Sequence, residues 1–391
     1  MLQQMTTWES AENILCIRLD TIGDVLMTTP AIRALKASNP RRRITLLTSS
    51  AGVAAASLVP EIDEVMVYDA PWLKATAPRL NSRPEYEMAE HLRLLNFDGA
   101  IIFTVYSQNP LPSAFLCYLA DIPLRLAHCH ENPYQLLTDW VKDPEPEKFV
   151  RHEVQRQLNL VGTIGCYTDD ERLSLRVPNE ALAVVEGILQ NIGIDKQRPL
   201  IVIHPGATAA SRRYPPEKFA LVARTLAMDM GMQVVFTGTE SEQELVAEIE
   251  KAMMAADAIA KGFYQKIAVT DDLSPKSAAV HSLVGYLNLS ELAALLQLSS
   301  LLISNNTGPV HIAAAVGTPV VDLYALTNPQ HTPWGIPNRV LFHDVPCKYC
   351  YKSICPEGHH QCLSLVTPES VVDAACELLQ IQVEKELAIQ S

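Results

Sequence analysis

A doubly wound α/β fold, in two halves with a cleft between them, is what the sequence predicts. Three observations carry that expectation. Short apolar runs rich in β-branched residues recur along the chain, and segments with helical periodicity separate them. The alternation lapses near residues 175–198 and then restarts. The chain is 391 residues long, enough at roughly 100–200 residues per domain for two or three separate cores.

Taken in order, Ile14–Arg18, Ile44–Thr48, Val65–Tyr68 and Gly99–Thr104 read as the strands of the first half. Runs this apolar suit strands covered on both faces, as in a parallel sheet. A helix is expected over Pro30–Ala37. The boundary is marked by Arg176-Val177-Pro178-Asn179, followed by a helix at Glu180–Ile192 and a linker at Gly193–Pro199. Strands of the second half are expected at Leu200–His204, Val234–Thr237, Ser282–Gly285, Leu301–Ser304 and Val320–Tyr324. Helical patterns lie between them at Pro216–Met230, Ser241–Ala255, Ser290–Leu298 and Pro309–Val316, and an amphipathic one closes the chain at about Pro368–Glu386. Open α/β sheets bind ligands beyond the C-terminal ends of their strands. The chemistry is therefore expected in the loops after Arg18, His204, Thr237 and Ser304.

Composition narrows the function classes. With 44 acidic against 31 basic side chains the net charge is −13, which repels polyanions and argues against wholesale nucleic-acid binding. A local basic patch for one phosphate group remains compatible with it. No stretch approaches the ~20 consecutive apolar residues of a membrane span. The first residues lack the basic start and long apolar run of a secretory signal. Nine cysteines, an odd number, speak for a reducing compartment, so a cytoplasmic location is expected.

Four stretches have residue types that support chemistry. After the first strand comes Arg18-Leu19-Asp20-Thr21-Ile22-Gly23-Asp24, with a single glycine, so it is not the G-x-G-x-x-G dinucleotide fingerprint. Asp24 is either a helix-start acid satisfied by backbone N–H groups or a base facing the cleft. The stretch Ile203-His204-Pro205-Gly206-Ala207-Thr208-Ala209-Ala210-Ser211-Arg212-Arg213 runs from a strand into a small-residue loop with hydroxyls and two guanidinium forks. It suits a phosphate, or is a solvated loop with its arginines in water. Glu240 follows the next strand and either accepts from a ribose hydroxyl or starts a helix. In Ser304-Asn305-Asn306-Thr307-Gly308-Pro309-Val310-His311, Gly308 is expected at the N-cap and Pro309 in the first turn, which makes an anion site of the helix start.

Two further clusters have a bland and a functional reading. Cys347, Cys350, Cys355 and Cys362 form C-x2-C-x4-C-x6-C around His359 and His360. Thiolates at such spacings are competent ligands for a structural zinc, although the pattern is not a paired knuckle, and a reduced surface loop is the other reading. Arg41-Arg42-Arg43 is a solvated helix end or a contact for an anionic lipid headgroup.

Together and in this order, these residues resemble the ADP-heptose:lipopolysaccharide heptosyltransferase family, glycosyltransferase family 9. The likeness is carried by IRLDTIGDVLMTTPAIRAL, HPGATAASRRYPPEKFA, FTGTESE, LVGYLNLSELAALL and SNNTGPVHIAAAVGTPVVDLYA, and extends from about Asn13 to Leu379. The tail PCKYCYKSICPEGHHQC also resembles tails seen in that family. The resemblance implies a GT-B-type fold. Residues 1–178 would form an acceptor-binding Rossmann-like domain, 179–367 a nucleotide-sugar-binding one, and 368–391 a helix packing across them. By position Asp24 would be the catalytic base. Arg212 would contact the donor diphosphate with Thr208 beside it, Glu240 would hold the ribose, and Leu287 would lie near the adenine. Asn306, Thr307, Gly308 and His311 would form the sugar-phosphate end. Position 306 departs from the family, which usually has Asp there; Asn keeps an acceptor but loses the charge.

The activity implied is inverting transfer of a heptose or related sugar from an ADP-sugar to a hydroxyl of a lipid-linked lipopolysaccharide inner-core acceptor. No catalytic cofactor is implied, and no D-x-D-like pair stands where a metal would clamp the diphosphate. The enzyme would meet its acceptor peripherally at the inner membrane. Rival readings are a sugar-nucleotide epimerase on the same fold, a non-catalytic nucleotide-sugar binder, and a zinc-dependent interaction protein. The segment from about Asp257 to Ala279 reads as an insertion near the nucleotide pocket.

Overall fold

A computed structural model describes residues 6–74, 76–265 and 280–390. The chain divides into two compact units, Met1–Arg176 and Val177–Ser391. The segment expected as a separate C-terminal piece, 368–391, lies within the second unit.

The first unit is built from β1 (Asn13–Arg18), α1 (Ile22–Ser38), β2 (Arg43–Thr48), α2 (Val53–Ala56), β3 (Glu64–Val67), α3 (Arg83–Leu94), β4 (Gly99–Ile102), α4 (Leu111–Leu119), β5 (Leu124–Cys129), β6 (Asp139–Lys142) and α5 (Glu153–Gly162). Its six strands are all parallel in the order β3-β2-β1-β4-β5-β6, that of a doubly wound dinucleotide-type sheet. Leu15, Ile17, Leu47, Ala100 and Ile102 anchor the core on one face. The sequence patterns located β1 to β4 and passed over β5 and β6. Leu124–Cys129 contains an arginine and a histidine, both buried. Asp139–Lys142 is a half-exposed edge strand flanked by charge.

Helix α1 is longer than the expected Pro30–Ala37 because Pro30 lies inside it. Proline has no N–H for the Leu26 carbonyl four residues back. The Thr29 hydroxyl donates to that carbonyl instead, at 2.7 Å, and the helix continues. The arginine run that follows is solvated at Arg41 and Arg43 but not at Arg42. Arg42 is buried, donating to the carbonyls of Trp8, Ala11 and Leu35. Arg41 and Arg43 pair with Glu12 and Glu64.

The second unit holds α6 (Asn179–Asn191), β7 (Leu200–His204), α7 (Pro216–Arg224), β8 (Gln233–Phe236), α8 (Gln243–Gln265), β9 (Val280–Ser282), α9 (Leu289–Leu298), β10 (Leu301–Asn305), α10 (Gly308–Val316), β11 (Val320–Leu323), β12 (Asn338–Leu341), α11 (Gln361–Ser364) and α12 (Pro368–Gln390). Its sheet, again all parallel, runs β12-β11-β10-β7-β8-β9, the strand order of the first unit repeated. Strand β9 ends at Ser282 and not at the expected Gly285, where φ of +78° starts a turn. The half-buried edge strand β12 has only a short Val-Leu signature and was not expected. Helix α12 packs on α7, β10, β11 and β12. Of the expected insertion at 257–279, the first part continues α8 to Gln265, and residues 266–279 lie outside the described residues.

Candidate active site

At the C-terminal edge of the first sheet, β1 hands over to α1 through a turn organised by one buried arginine. Arg18 is fully buried and its guanidinium divides itself among three carboxylates. NH1 donates to Glu153 at 2.7 Å and NH2 to Asp24 at 3.0 Å, while Nε pairs with Asp20 at 2.9 Å. Burial alone would lower the pKa of Arg18, but the three carboxylates outweigh it and hold the side chain charged. Glu153, also fully buried, is braced by Gln157 from one turn further along α5 at 2.6 Å. Asp20 meets the same guanidinium at Nε, close enough to Asp24 for the two carboxylates to repel. Burial pushes it up to about 6 against the pull of Arg18, and Gln108 Nε2 donates to it at 2.6 Å.

Asp24, in the first turn of α1, has the contacts of a helix-start acid and a buried arginine besides. Its Oδ2 accepts from the Thr21 backbone N–H at 3.2 Å and from the Thr21 hydroxyl at 2.9 Å, as a helix-start acid does. Its Oδ1 is held by Arg18, and its side chain stays 16% exposed. Glu153 and Gln157 are members of this cluster that sequence reasoning missed. An acid and an amide spaced i, i+4 on an amphipathic helix were the available signal.

The second unit presents the loops after β7, β8, β9 and β10 at one edge of its sheet. Thr208 is exposed in the β7 loop, and Arg212 ends a short 3-10 turn, Ala210–Arg212. Arg212 Nε is buried without a hydrogen-bond partner among the described residues, which leaves a guanidinium donor for an incoming acceptor. The loop is tied to β10 by Asn305, whose Oδ1 accepts from Tyr214 N at 2.9 Å and whose Nδ2 donates to the Pro205 carbonyl at 2.7 Å. Helix α10 begins one residue earlier than expected. Thr307, in extended conformation, is its N-cap, and Gly308 and Pro309 open its first turn; Pro309 has no N–H, so the unpaired donors at this helix start are those of the residues beside it. His311 is buried one turn in.

Asn306 is fixed from behind. Its Nδ2 donates to Asp322 Oδ2 at 2.9 Å and to the His331 carbonyl at 2.8 Å. A backbone carbonyl only accepts, so the amide nitrogen must face inward. Asp322 is fully buried on β11, and burial raises its pKa well above the ordinary carboxylate range, against the opposing pull of the Asn306 amide.

Glu240 is exposed, and its backbone lies against Gly285, where an added Cβ would come within 3.4 Å of the Glu240 Cα. The β9 loop with Tyr286 and half-buried Leu287 is therefore the neighbour of Glu240. Glu242 was overlooked. It accepts from Thr239 N at 2.7 Å, and an added Cβ on Gly206 would fall 1.9 Å from its Oε1, so this acid closes on the β7 loop. The T-x-x-E spacing of a capping box was its legible signal.

The four cysteines are each half-buried. Cys347 Sγ lies 3.7 Å from His359 Nε2. Burial raises the Cys362 thiol, with Cys355 and Cys347 adding to the effect. Among the described residues no three metal-ligand side chains converge closely enough to hold an ion, so the geometry does not fit a zinc site. The loop instead props the arginine turn. Ser211 N donates to the Ser353 carbonyl at 3.1 Å and Ser211 Oγ to the Lys352 carbonyl at 2.7 Å. Among the described residues, no helix is long and apolar enough to cross a membrane.

Residues 86–361 match glycosyltransferase family 9 (heptosyltransferase). The chain is 26% identical over 373 residues to lipopolysaccharide heptosyltransferase 2 of Escherichia coli (strain K12), covering 94% of this chain and 98% of that one. Its fold is similar to the glycosyl transferase family 9 protein from Veillonella parvula DSM 2008, with a TM-score of 0.74 and 24% identity over 96% of this chain and 99% of that one. It is also similar to E. coli ADP-heptose lps heptosyltransferase II, with a TM-score of 0.68 and 24% identity over 95% and 99% of the two chains. With a family match across most of its length and two Rossmann-like units of the GT-B kind, the chain belongs to glycosyltransferase family 9 and is a glycosyltransferase.

Proposed function

We propose that the protein transfers a heptose from an ADP-heptose-type donor to a hydroxyl of a lipopolysaccharide inner-core acceptor, with inversion at the anomeric carbon. The observation that carries this reading is the clamped carboxylate of Asp24, held by fully buried Arg18 on one oxygen and by Thr21 on the other, yet partly exposed. The names of the relatives support the donor and acceptor class: one is a lipopolysaccharide heptosyltransferase 2 and another an ADP-heptose lps heptosyltransferase II.

In this mechanism Asp24 takes the proton from the acceptor hydroxyl as its oxygen bonds to the anomeric carbon. The bond from that carbon to the diphosphate oxygen breaks on the opposite face, and ADP leaves with the electron pair. The charge that grows on the diphosphate is met by Arg212 and by the free N–H groups of α10 around Thr307 and Gly308. His311 is buried behind those groups and shapes the sugar-phosphate end. Glu240 receives the ribose hydroxyls, Leu287 lies against the adenine, and Thr208 contributes a hydroxyl to the phosphate loop. Because its nitrogen is held inward, Asn306 turns its carbonyl oxygen to a hydroxyl of the donor sugar.

Asp24→Asn preserves the shape of the turn but removes the proton acceptor. Turnover should fall by about 10²–10⁴-fold, while calorimetry shows ADP affinity unchanged and ADP preferred over UDP, GDP and CDP. Full turnover in the folded variant would remove the base assignment. Conversion of the donor with no acceptor present would point to the epimerase reading.

A further inference from the structure

Helix α5 supplies the member of the Arg18 cluster that is most distant in sequence. Glu153 is the first residue of α5, where unpaired backbone N–H groups favour a carboxylate, and it reaches Arg18 across 135 residues. Its side chain is fully buried, so it has no access to a substrate. The helix is anchored independently of the cluster. Arg156 Nε and Gln157 Nε2 donate to the Thr104 carbonyl at 2.8 and 3.1 Å. Arg156 also pairs with Asp143 at 2.6 Å and with Glu145 at 2.7 Å. Helix α5 packs along α1, which carries Asp24. Glu153 therefore acts from a fixed point.

Arg18 has two directed bonds and one looser contact. Nη1 donates to Glu153 Oε1 at 2.7 Å and Nη2 to Asp24 Oδ1 at 3.0 Å. Nε lies 2.9 Å from Asp20 Oδ2 but makes no hydrogen bond among the described residues. A guanidinium is planar, with its N–H groups in a rigid fork, so fixing Nη1 fixes where Nη2 points. Gln157 Nε2 donates to the same Glu153 oxygen at 2.6 Å and steadies it. Charge follows the geometry. One guanidinium serves three carboxylates, so what Glu153 and Asp20 draw from it is not available to Asp24. Asp20 registers the competition: burial first, then Asp24 and Glu153, push it up to about 6 against Arg18 and Gln108. Among the described residues, the other charged groups around α5 pair with one another. Arg151 and Arg156 meet Asp143 and Glu145, with His130 beside Asp143. His128, against the Arg156 carbonyl, is lowered to about 4, by burial first and then by the two arginines.

We propose that Glu153 is a positioning residue for the transfer: through Arg18 it fixes the direction of the Asp24 carboxylate and limits the guanidinium charge that reaches it. The inference rests on Asp24 as the base of the reaction proposed above. A carboxylate fully paired with an arginine is a weak base, whereas one without any partner has no fixed direction. Glu153 holds the guanidinium where it can orient Asp24 and takes part of its charge away. Glu153→Gln keeps the shape and can still accept from Nη1, but it returns that charge to Asp24 and Asp20.

Carboxyl ¹³C NMR of aspartate-labelled protein reads both acids directly, with Asp24→Asn and Asp20→Asn assigning the signals. In Glu153→Gln the Asp24 and Asp20 titrations should each move to lower pH, by about one unit for the loss of one like charge nearby. The acid limb of kcat/KM should move with Asp24. On the plateau kcat should fall about threefold, because a weaker base remains, while donor and acceptor KM stay within twofold. A glutamate that serves only the fold would lower the thermal midpoint and reduce activity equally at every pH. Both titrations would then stay in place, and that result overturns the proposal. If the Asp24 titration moves and the acid limb does not, the coupling through Arg18 stands and it is the base reading that has failed. Should Glu153→Gln not fold, ¹⁵N NMR of the Arg18 side chain in the parent decides. Distinct, slowly exchanging Nη1 and Nη2 signals support a guanidinium held at both ends, and one averaged signal overturns it.

Discussion

Asn306 illustrates how a neighbour changes what a residue can do. An asparagine offers one acceptor and two donors, and on composition alone it differs from an aspartate by losing charge and gaining hydrogens. Here both hydrogens are used inward, on Asp322 and on the His331 carbonyl, so the face toward the site presents an acceptor oxygen only. Asp322 thus acts through Asn306 as a positioning residue. Its oxygen only has to accept from the Asn306 amide, and burial disfavours a charge there, so an amide of the same shape should replace it with little loss. Asp322→Asn is expected to keep the parent's thermal midpoint and donor KM. Asp322→Leu leaves a buried amide hydrogen unpaired and should cost ~1–3 kcal/mol. It should also raise donor KM without altering acceptor KM, because the loosened amide no longer holds one orientation. Equal donor KM in the leucine variant and the parent would separate Asp322 from the donor site. The pair was half legible in the sequence. The turn S-N-N-T-G-P announced position 306, but Asp322 interrupts the apolar run of Val320–Tyr324, and only the parallel register of β10 and β11 puts it behind the turn.

Elements were legible where period and burial agreed. Strands β1, β2, β7 and β10 are buried along nearly their whole length because the sheets cover both of their faces, and each has an apolar run at its centre. Strands β5, β6 and β12 escaped notice because a buried arginine, flanking charge or half exposure removes that signature. Helix α1 escaped in part for a different reason: an interior proline reads as a start. Thr29 is what lets the helix pass through it. Its hydroxyl donates to Leu26 O at 2.7 Å and accepts from Ser174 N at 2.9 Å, joining the helix to the last loop of the first unit. Thr29→Val conserves volume but strips both bonds, leaving one carbonyl and one N–H unpaired in the interior. The expected loss is ~1–3 kcal/mol for each group, read as an earlier urea midpoint. Thr29→Ser should restore it, since the hydroxyl returns. A valine variant as stable as the parent would mean that the helix crosses Pro30 without this support.

At the scale of the molecule, the repeated strand order explains why two sites with different duties exist in one chain. Each sheet gathers its loops at the C-terminal edge of six parallel strands, and each unit has its own core beneath them. The first unit spent that edge on carboxylates around Arg18, and the second on an arginine turn and a helix start. A net charge of −13 disfavours a nucleotide diphosphate at long range, so the donor binding proposed above would come from these contacts at close quarters. Hydrogen exchange should therefore show a division of labour. With ADP at 100 times its dissociation constant, amides in the Gly206–Arg212 loop and the first turn of α10 should exchange up to about 100-fold more slowly. Amides of Leu19–Thr21 should be unaffected by ADP and slowed by a soluble, deacylated lipopolysaccharide core acceptor. Protection by ADP confined to the first unit, or absent from the β7 and α10 loops, would reassign the donor site. The fold would stand, because the sheets do not depend on which ligand each edge receives.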